Sequence, residues 1–401
     1  AAQVTSSSFT VDTTLPTITG TSSLAANNTT VDVEFSEAVY KGNTGSGSGA
    51  LEVSDFEFSI AGGNASLSSA TPSIISTTDN ETFTLGISLT GTANGDETLT
   101  INPATGASIY DVAGNAASTS QSNNTVSLND LTPPTMTITA ANTGGTAIAS
   151  GSTTNDSPIV LTFTSSESTT TFAVGDITEN GGSLGTMTGS GTTYTVQFTP
   201  SADGNCTIDV AGGTFTDAAG NLNTAATQFT WTYDSTGPTF VEATSTTSLG
   251  LYGIGDAINV QLIFDGTLVV TGTPTLTLLT DQAGTGTTDV DYIGLTTQTN
   301  TDDTLNFTYT VAVGDNTSTN QFQTLDYNST TALALNGGTI KDDAENDATL
   351  TLVSPGAAGS LAANKDIVID GVVPTISSIS IIDDGTTPHN DSVNVTFSEN
   401  V

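Results

Sequence analysis

The sequence has almost no basic residues. Its 401 residues include no arginine and three lysines, against 41 Asp and Glu, so the formal net charge is −38. Salt bridges therefore cannot neutralise most of the carboxylates, which must either stay dispersed in water or bind divalent cations. A nucleic-acid partner is also excluded, because nothing in the chain could displace the counterions of a phosphate backbone.

Cysteine and histidine are nearly absent as well. The single cysteine, Cys206, rules out an internal disulfide bond. Because Cys206, Ile208 and Val210 alternate onto one face of a strand, we predict a buried and inert thiol. The only histidine, His389, lies in a turn without a Ser or Cys constellation, so no catalytic residue is expected.

Long apolar runs are missing. No stretch of eighteen apolar residues and no apolar signal region occurs, and the sequence does not begin with methionine. We therefore expect a soluble segment of a secreted chain without membrane insertion, whose export signal lies outside this sequence.

The residues that are abundant favour strands. Thr, Ser and Val are frequent, there are 41 glycines, and no segment shows sustained helical periodicity. Since β-branched side chains lose rotamer freedom in helices, this composition predicts an all-β protein with tight turns.

A pattern D-x-x-x-P-T occurs four times and divides the chain. Its copies begin at Asp12, Asp130, Asp234 and Asp370, which are 118, 104 and 136 residues apart. Repeats of this length are whole domains in tandem. The predicted units are the last strand of a preceding module at 1–12, module 1 at 13–130, module 2 at 131–234, a longer module 3 at 235–370, and the first strands of module 4 at 371–401.

Each D-x-x-x-P-T is followed by an alternating strand that ends in Phe and an acid. The four strands read VDVEFSE (31–37), IVLTFTSSE (159–167), INVQLIFD (258–265) and VNVTFSE (393–399). Such alternation indicates a half-buried strand, with Val31, Val33 and Phe35 on the buried face. Many short strands separated by Gly, Asp and Asn turns predict an antiparallel β-sandwich in each module.

A third motif, D-x-A-x-N, reads DVAGN at 111–115, DAAGN at 217–221 and DDAEN at 342–346. In a seven-strand sandwich lettered A to G, the start of A, the end of B and the F–G turn share one pole. The three motifs should therefore gather Asp12, Glu37, Asp111 and Asn115 in module 1; Asp130, Glu167, Asp217 and Asn221 in module 2; Asp234, Asp265, Asp342 and Asn346 in module 3; and Asp370 with Glu399 in module 4.

Carboxylates and amide oxygens that meet without a neighbouring base are the ligands that Ca²⁺ prefers. The E–F turns should lie at the opposite pole, so that Asp96, Asp203 and Asp315 approach the sites of the following modules. We expect calcium held between two modules to stiffen the junction. A structural alternative stays open, because Asp and Asn are ordinary turn residues and a linker Asp can cap its own backbone.

The D-x-x-x-P-T linker, the F-S-E strand end and the D-x-A-G-N turn together resemble bacterial Ig-like repeat domains, which build the extracellular regions of giant adhesins and surface filaments. Module 3, with LYGIGDAINVQLIFDG at 251–266, resembles a longer variant found in very large surface proteins such as those of gliding bacteria. The resemblance implies an elongated rod of Ig-like sandwiches that serves as a non-enzymatic, extracellular stalk or filament. Its partners would be neighbouring repeats, identical chains in a filament, and surface carbohydrate or other cells reached through domains outside this segment.

Two alternatives remain at this point. The modules could polymerise as sheath or filament subunits through strand pairing or strand donation. The chain could instead be the accessory region of a secreted carbohydrate-active enzyme, whose catalytic domain would lie outside this segment. Separately, Tyr252, Tyr292 and Tyr309 could line a carbohydrate groove. Scattered aromatic residues more often pack, and for Trp231 we predict a role in a core or a junction.

Overall fold

The computed structural model describes residues 11–43, 47–281, 286–295, 302–317, 324–382 and 392–399. Within these ranges the chain consists of strands and turns, with one short α-helix, α1 (Leu361–Asn364), and two 3-10 turns at Val53–Asp55 and Val174–Asp176. The predicted all-β class is confirmed. None of the helices in these ranges has the length and apolarity needed to cross a membrane.

Module 1 consists of short strands in two main antiparallel sheets. Its strands are β1 (Ile18–Ser22), β2 (Thr30–Phe35), β3 (Val39–Tyr40), β4 (Phe56–Ala61), β5 (Ser66–Leu67), β6 (Ile75–Thr77), β7 (Thr82–Gly86), β8 (Leu89–Thr90), β9 (Thr98–Pro103), β10 (Tyr110–Asp111) and β11 (Thr125–Ser127). One sheet has the order β1-β2-β7-β6 and the other β11-β9-β4, with the pairs β10-β3 and β5-β8 beside them.

Module 2 repeats this plan with longer strands. They are β12 (Met136–Asn142), β13 (Ala147–Ile148), β14 (Thr153–Thr154), β15 (Ile159–Thr169), β16 (Ile177–Asn180), β17 (Gly182–Leu184), β18 (Thr188–Pro200), β19 (Gly204–Val210) and β20 (Phe229–Tyr233). The sheets have the orders β13-β12-β15-β18-β17 and β14-β20-β19-β16, and only the β14–β20 pair is parallel.

Module 3 contains the largest sheet. Its strands are β21 (Phe240–Thr244), β22 (Gly250–Gly253), β23 (Ala257–Phe264), β24 (Val269–Thr271), β25 (Thr275–Leu279), β26 (Thr287–Leu295), β27 (Thr304–Thr310), β28 (Asp326–Tyr327), β29 (Leu333–Ala334), β30 (Thr339–Lys341) and β31 (Ile367–Asp370). The main sheet runs β21-β23-β27-β26-β25-β28, with β29 also on β25; β22 pairs with β31 and β24 with β30. After Asp370, β32 (Ile376–Ile382) and β33 (Ser392–Phe397) form an antiparallel hairpin.

The buried apolar residues form three separate hydrophobic clusters, one in each of modules 1, 2 and 3. Their buried members span residues 18–128, 136–231 and 243–369, so each cluster lies inside one predicted module. The module boundaries themselves remain predictions. The predicted alternation is confirmed in β2, where Val31 and Val33 are 0% exposed and Phe35 is 3% exposed. Period-2 patterning thus gives each strand one apolar face, and two sheets bury those faces against each other.

The core of module 2 contains the residues that sequence patterning assigned to packing. Cys206 and Trp231 are both buried, and the Trp231 ring packs edge-on against Phe198 with centroids 4.9 Å apart. Burial raises the pKa of the Cys206 thiol, which disfavours the nucleophilic thiolate. Both residues are therefore core residues, as predicted. His389 lies outside the described residues.

Separate cores predict separate unfolding. Phe163→Ala removes a fully buried ring that packs against Phe172, and large-to-small changes of this type cost about 3–5 kcal/mol. Trp231, the only tryptophan, reports on module 2, so the midpoint of its fluorescence transition should fall. Calorimetric transitions of the other modules should not move.

The matched control is Thr164→Ala, which changes the neighbouring exposed residue on β15. A shift of every calorimetric transition in Phe163→Ala would show that the modules unfold as one unit and would contradict this expectation.

Candidate metal centres

A hydrogen bond joins the linker to the F–G turn in modules 1, 2 and 3. In each, the side-chain amide nitrogen of the motif asparagine donates to the backbone carbonyl of the linker aspartate. The pairs are Asn115–Asp12 at 3.2 Å, Asn221–Asp130 at 3.2 Å and Asn346–Asp234 at 3.0 Å. D-x-x-x-P-T and D-x-A-x-N therefore meet at one end of each module.

The D-x-A-x-N motif is also a turn that closes on itself. In module 1, Oδ1 of Asp111 accepts from the backbone N–H of Asn115 at 2.8 Å, and Oδ2 accepts from its amide nitrogen at 2.7 Å. The same two bonds recur in modules 2 and 3. Because two acceptors surround it, the inner amide atom must be nitrogen. The amide nitrogen of each asparagine therefore clamps the linker to the turn, and the role of the amide oxygen as a cation ligand stays a prediction.

The end of the B strand supplies a second clamp. In modules 1, 2 and 4, a serine hydroxyl accepts from the backbone N–H of the threonine in P-T. The pairs are Ser36–Thr17 at 3.1 Å, Ser166–Thr135 at 3.0 Å and Ser398–Thr375 at 2.9 Å. Sequence patterning did not assign this role, although serine follows Phe closely in each of these strand ends.

In module 3, Asp265 occupies the position that the clamping serine has in the other modules. Its two carboxylate oxygens accept from the backbone N–H and the hydroxyl of Thr239, at 2.7 and 2.6 Å. Asp265 is therefore the counterpart of Ser36, and Gly266 stands where Glu37 stands in module 1. The prediction that equated Asp265 with Glu37 had the register wrong by one residue.

Two groups of three carboxylates lie close enough to share a cation. They are Asp12, Glu37 and Asp111 in module 1, and Asp130, Glu167 and Asp217 in module 2, with one oxygen from each residue within 4.8 Å of the others. We call them cluster 1 and cluster 2. Within the described part of the chain, Asp234, Asp265 and Asp342 form no such group, and neither do Asp370 and Glu399.

Both clusters concentrate negative charge. Burial, followed by the charges of Asp111 and Asp12, raises the pKa of Glu37. Burial, followed by the charges of Asp130 and Asp217, raises the pKa of Glu167 to about 7. Like charges that share a partly buried site oppose ionisation, and a cation between them would remove this penalty. Carboxylate oxygens alone, without His or Cys, fit Ca²⁺ better than zinc or copper.

The three E–F turn acids, Asp96, Asp203 and Asp315, each accept hydrogen bonds from nearby groups. The Asp96 carboxylate accepts from the amide of Asn94 at 3.1 Å and lies outside cluster 2. Asp203 binds the linker residues Ser235 and Thr236 through hydrogen bonds.

The third of these acids, Asp315, accepts from the Tyr309 hydroxyl and from the backbone N–H of Ala312 at 2.8 Å. The turns nevertheless touch the next linker, as at Leu131 N–H to Ala93 C=O, 2.9 Å.

Glu97, which sequence reasoning missed, organises the first of these turns. Its buried carboxylate accepts from the backbone N–H groups of Asn64 at 2.7 Å, Ala65 at 2.8 Å and Gly95 at 3.1 Å. Burial alone would raise its pKa, but the backbone donors outweigh burial and lower it. The turn ANGDE (93–97) contains two adjacent acids, Asp96 and Glu97, and no pattern in the sequence shows which of them is buried.

The tyrosines of module 3 do not present an aromatic row to solvent. Tyr309 is 1% exposed and belongs to the core. Tyr292 is half-buried and packs edge-on against Phe307, while the Tyr252 hydroxyl donates to the carbonyl of Ser248 at 2.8 Å.

In calcium-free buffer, module 2 should lose stability as the pH rises from about 4.5 to about 7. The folded state holds the Glu167 proton more tightly than the unfolded state does, so the unfolded state ionises first. Glu167→Gln removes this group and should therefore be more stable than wild type above pH 7. The gap should shrink towards pH 5, as measured by Trp231 fluorescence melts with chelator present.

Glu179→Gln, at an exposed carboxylate on β16, is the control and should leave the wild-type pH profile intact. Parallel pH profiles for wild type and Glu167→Gln would contradict the assignment of the raised pKa to this residue.

Comparison with known proteins identifies one of the modules. Residues 130–233 match the family described as bacterial Ig-like domain. The match begins at the linker residue Asp130 and ends just before the linker residue Asp234, so it includes all three carboxylates of cluster 2. No curated protein matches the chain. Residues 130–233 are thus similar to a bacterial Ig-like domain, and they make up about a quarter of the chain.

Proposed function

We propose that this chain is a non-enzymatic structural segment of a bacterial surface protein, in which Ig-like modules in series act as a spacer. The bacterial Ig-like match at residues 130–233 supports this class. Three separate cores and linkers hydrogen-bonded to the modules on either side support a serial arrangement. The same family likeness supports an extracellular location on the bacterial surface as part of this proposal.

Calcium at clusters 1 and 2 is the second part of the proposal. Cluster 2 is the observation that carries it, because Asp130 belongs to the linker while Glu167 and Asp217 belong to module 2. The backbone of Asp130 also pairs with Asn94 of module 1. A cation bound at cluster 2 would join Asp130, whose backbone pairs with module 1, to Glu167 and Asp217 of module 2. It would therefore restrain the junction.

The chemistry of the donors limits what the cation could be. Three carboxylates supply part of the six to eight oxygen ligands that Ca²⁺ takes, and backbone carbonyls and water commonly supply the rest. Both oxygens of Asp111 already accept hydrogen bonds from Asn115, which fixes the carboxylate in place. Calcium would thus meet a partly preorganised site.

Calcium titration of the intact chain tests this proposal. Isothermal titration should give two strong sites in wild type and one in either Glu37→Gln or Glu167→Gln. Saturation with calcium at about 100 times the dissociation constant should stabilise module 2 by about 2.7 kcal/mol, measured by Trp231 fluorescence. This shift should vanish in Glu167→Gln and persist in Glu37→Gln.

The controls are Glu34→Gln and Glu179→Gln, which remove one exposed carboxylate from module 1 or module 2 outside the clusters. Absence of saturable binding, or equal loss in the control variants, would reject calcium at the clusters and leave the spacer proposal standing.

The spacer function itself predicts a monomer. Sedimentation velocity at micromolar concentration, with and without calcium, should give a single species with the mass of one chain, 40.3 kDa, and a high frictional ratio. Large assemblies formed by the pure chain would instead support the filament-subunit alternative. A compact monomer would contradict both.

A further inference from the structure

The junction between modules 2 and 3 differs chemically from the junction between modules 1 and 2. Cluster 2 includes the linker residue Asp130, whereas among the residues that the structure describes no group of three carboxylates includes Asp234. Two substitutions account for the difference. Gly266 occupies the position of the cluster glutamate, and Asp265 takes over the serine clamp on Thr239.

Direct hydrogen bonds cross this second junction. Asp203, in the E–F turn of module 2, accepts from the backbone N–H and hydroxyl of Ser235 at 2.8 and 2.7 Å. Its other oxygen accepts from the Thr236 hydroxyl at 2.6 Å. These donors hold the pKa of Asp203 below its ordinary value, so the carboxylate is ionised at neutral pH and the bonds are charge-assisted.

A second contact reaches the far side of the same linker. The amide nitrogen of Asn155, in module 2, donates to the amide oxygen of Asn346 at 3.0 Å. The amide nitrogen of Asn346 donates in turn to the Asp234 carbonyl at 3.0 Å. The linker is therefore held by Asp203 at one point and by the Asn155–Asn346 pair at another.

The two acids that remain at this linker make the same hydrogen bonds as their counterparts in clusters 1 and 2, but Gly266 supplies no third carboxylate. Oδ1 of Asp234 accepts from the Thr236 N–H at 3.1 Å, and the Asp342 carboxylate accepts twice from Asn346. We propose that Asp203 and Asn155 close the junction between modules 2 and 3 as a hydrogen-bonded lock that needs no cation. The contrast with a calcium-dependent first junction rests on the proposed function; the lock itself does not.

Amide hydrogen exchange of the intact chain tests the lock directly, because the Ser235 N–H is one of its donors. Exchange is followed by mass spectrometry on peptides that cover residues 230–240, with chelator present. Wild type should show protection in this peptide that added calcium does not change. Asp203→Ala should speed its exchange by on the order of tenfold, since Ser235 and Thr236 lose their common acceptor.

Two further variants sharpen the test. Asp203→Asn keeps one acceptor oxygen and should fall between Asp203→Ala and wild type. Glu179→Ala removes a carboxylate from the same module without touching the linker and should match wild type. Equal Trp231 fluorescence melts in all variants would show that module 2 itself remains folded.

The lock would be overturned by unprotected linker amides in wild type with chelator, by protection that appears only after calcium is added, or by wild-type exchange in Asp203→Ala. Failure of calcium to bind cluster 2 would leave all of these measurements interpretable. The two proposals therefore fail separately.

Discussion

The architecture depends on one hydrogen bond that recurs in three modules, from the asparagine of D-x-A-x-N to the carbonyl of the linker aspartate. It is 3.0–3.2 Å long each time. The carbonyl belongs to the linker before each module, and a backbone carbonyl that gives up contact with water needs a donor in its place. By supplying one, the F–G turn fixes where a module begins and places the linker carboxylate beside the carboxylate of the turn.

The scarcity of bases turns this placement into an electrostatic problem. The three lysines cannot pair with 41 acids, and two of them form ion pairs with acids outside the clusters, Lys41 with Glu52 and Lys341 with Asp347. Where a third acid completes the group, as at Glu167, the pKa rises to about 7. Where glycine replaces that acid at position 266, the Asp203 carboxylate of module 2 accepts hydrogen bonds from the linker residues Ser235 and Thr236. The two linkers thus differ: Asp130 lies in a group of three carboxylates, whereas the linker after Asp234 is hydrogen-bonded to Asp203.

Sequence reasoning recovered the features that depend on periodicity and failed at those that depend on single-residue register. The all-β class, the buried faces of strands such as β2 and the burial of Cys206 follow from alternation, which persists over many residues. The roles of Asp265 and Glu97 do not. A shift of one position decides whether an acid faces a linker amide, a cluster or solvent. Neither Asp265-Gly266 nor Asp96-Glu97 carries a local pattern that settles this choice.

Because single positions decide the role of each acid, they also decide how a junction is held. Converting one kind of junction into the other needs change at only a few positions, because the asparagine clamp, the linker turn and the E–F turn contact are common to both. The Asp203 carboxylate joins module 2 to the linker through three charge-assisted hydrogen bonds and needs no cation, whereas a cation bound at cluster 2 would couple three carboxylates at once. With calcium at cluster 2, as proposed, the first junction would respond to the cation concentration around it, whereas the junction held by Asp203 would not.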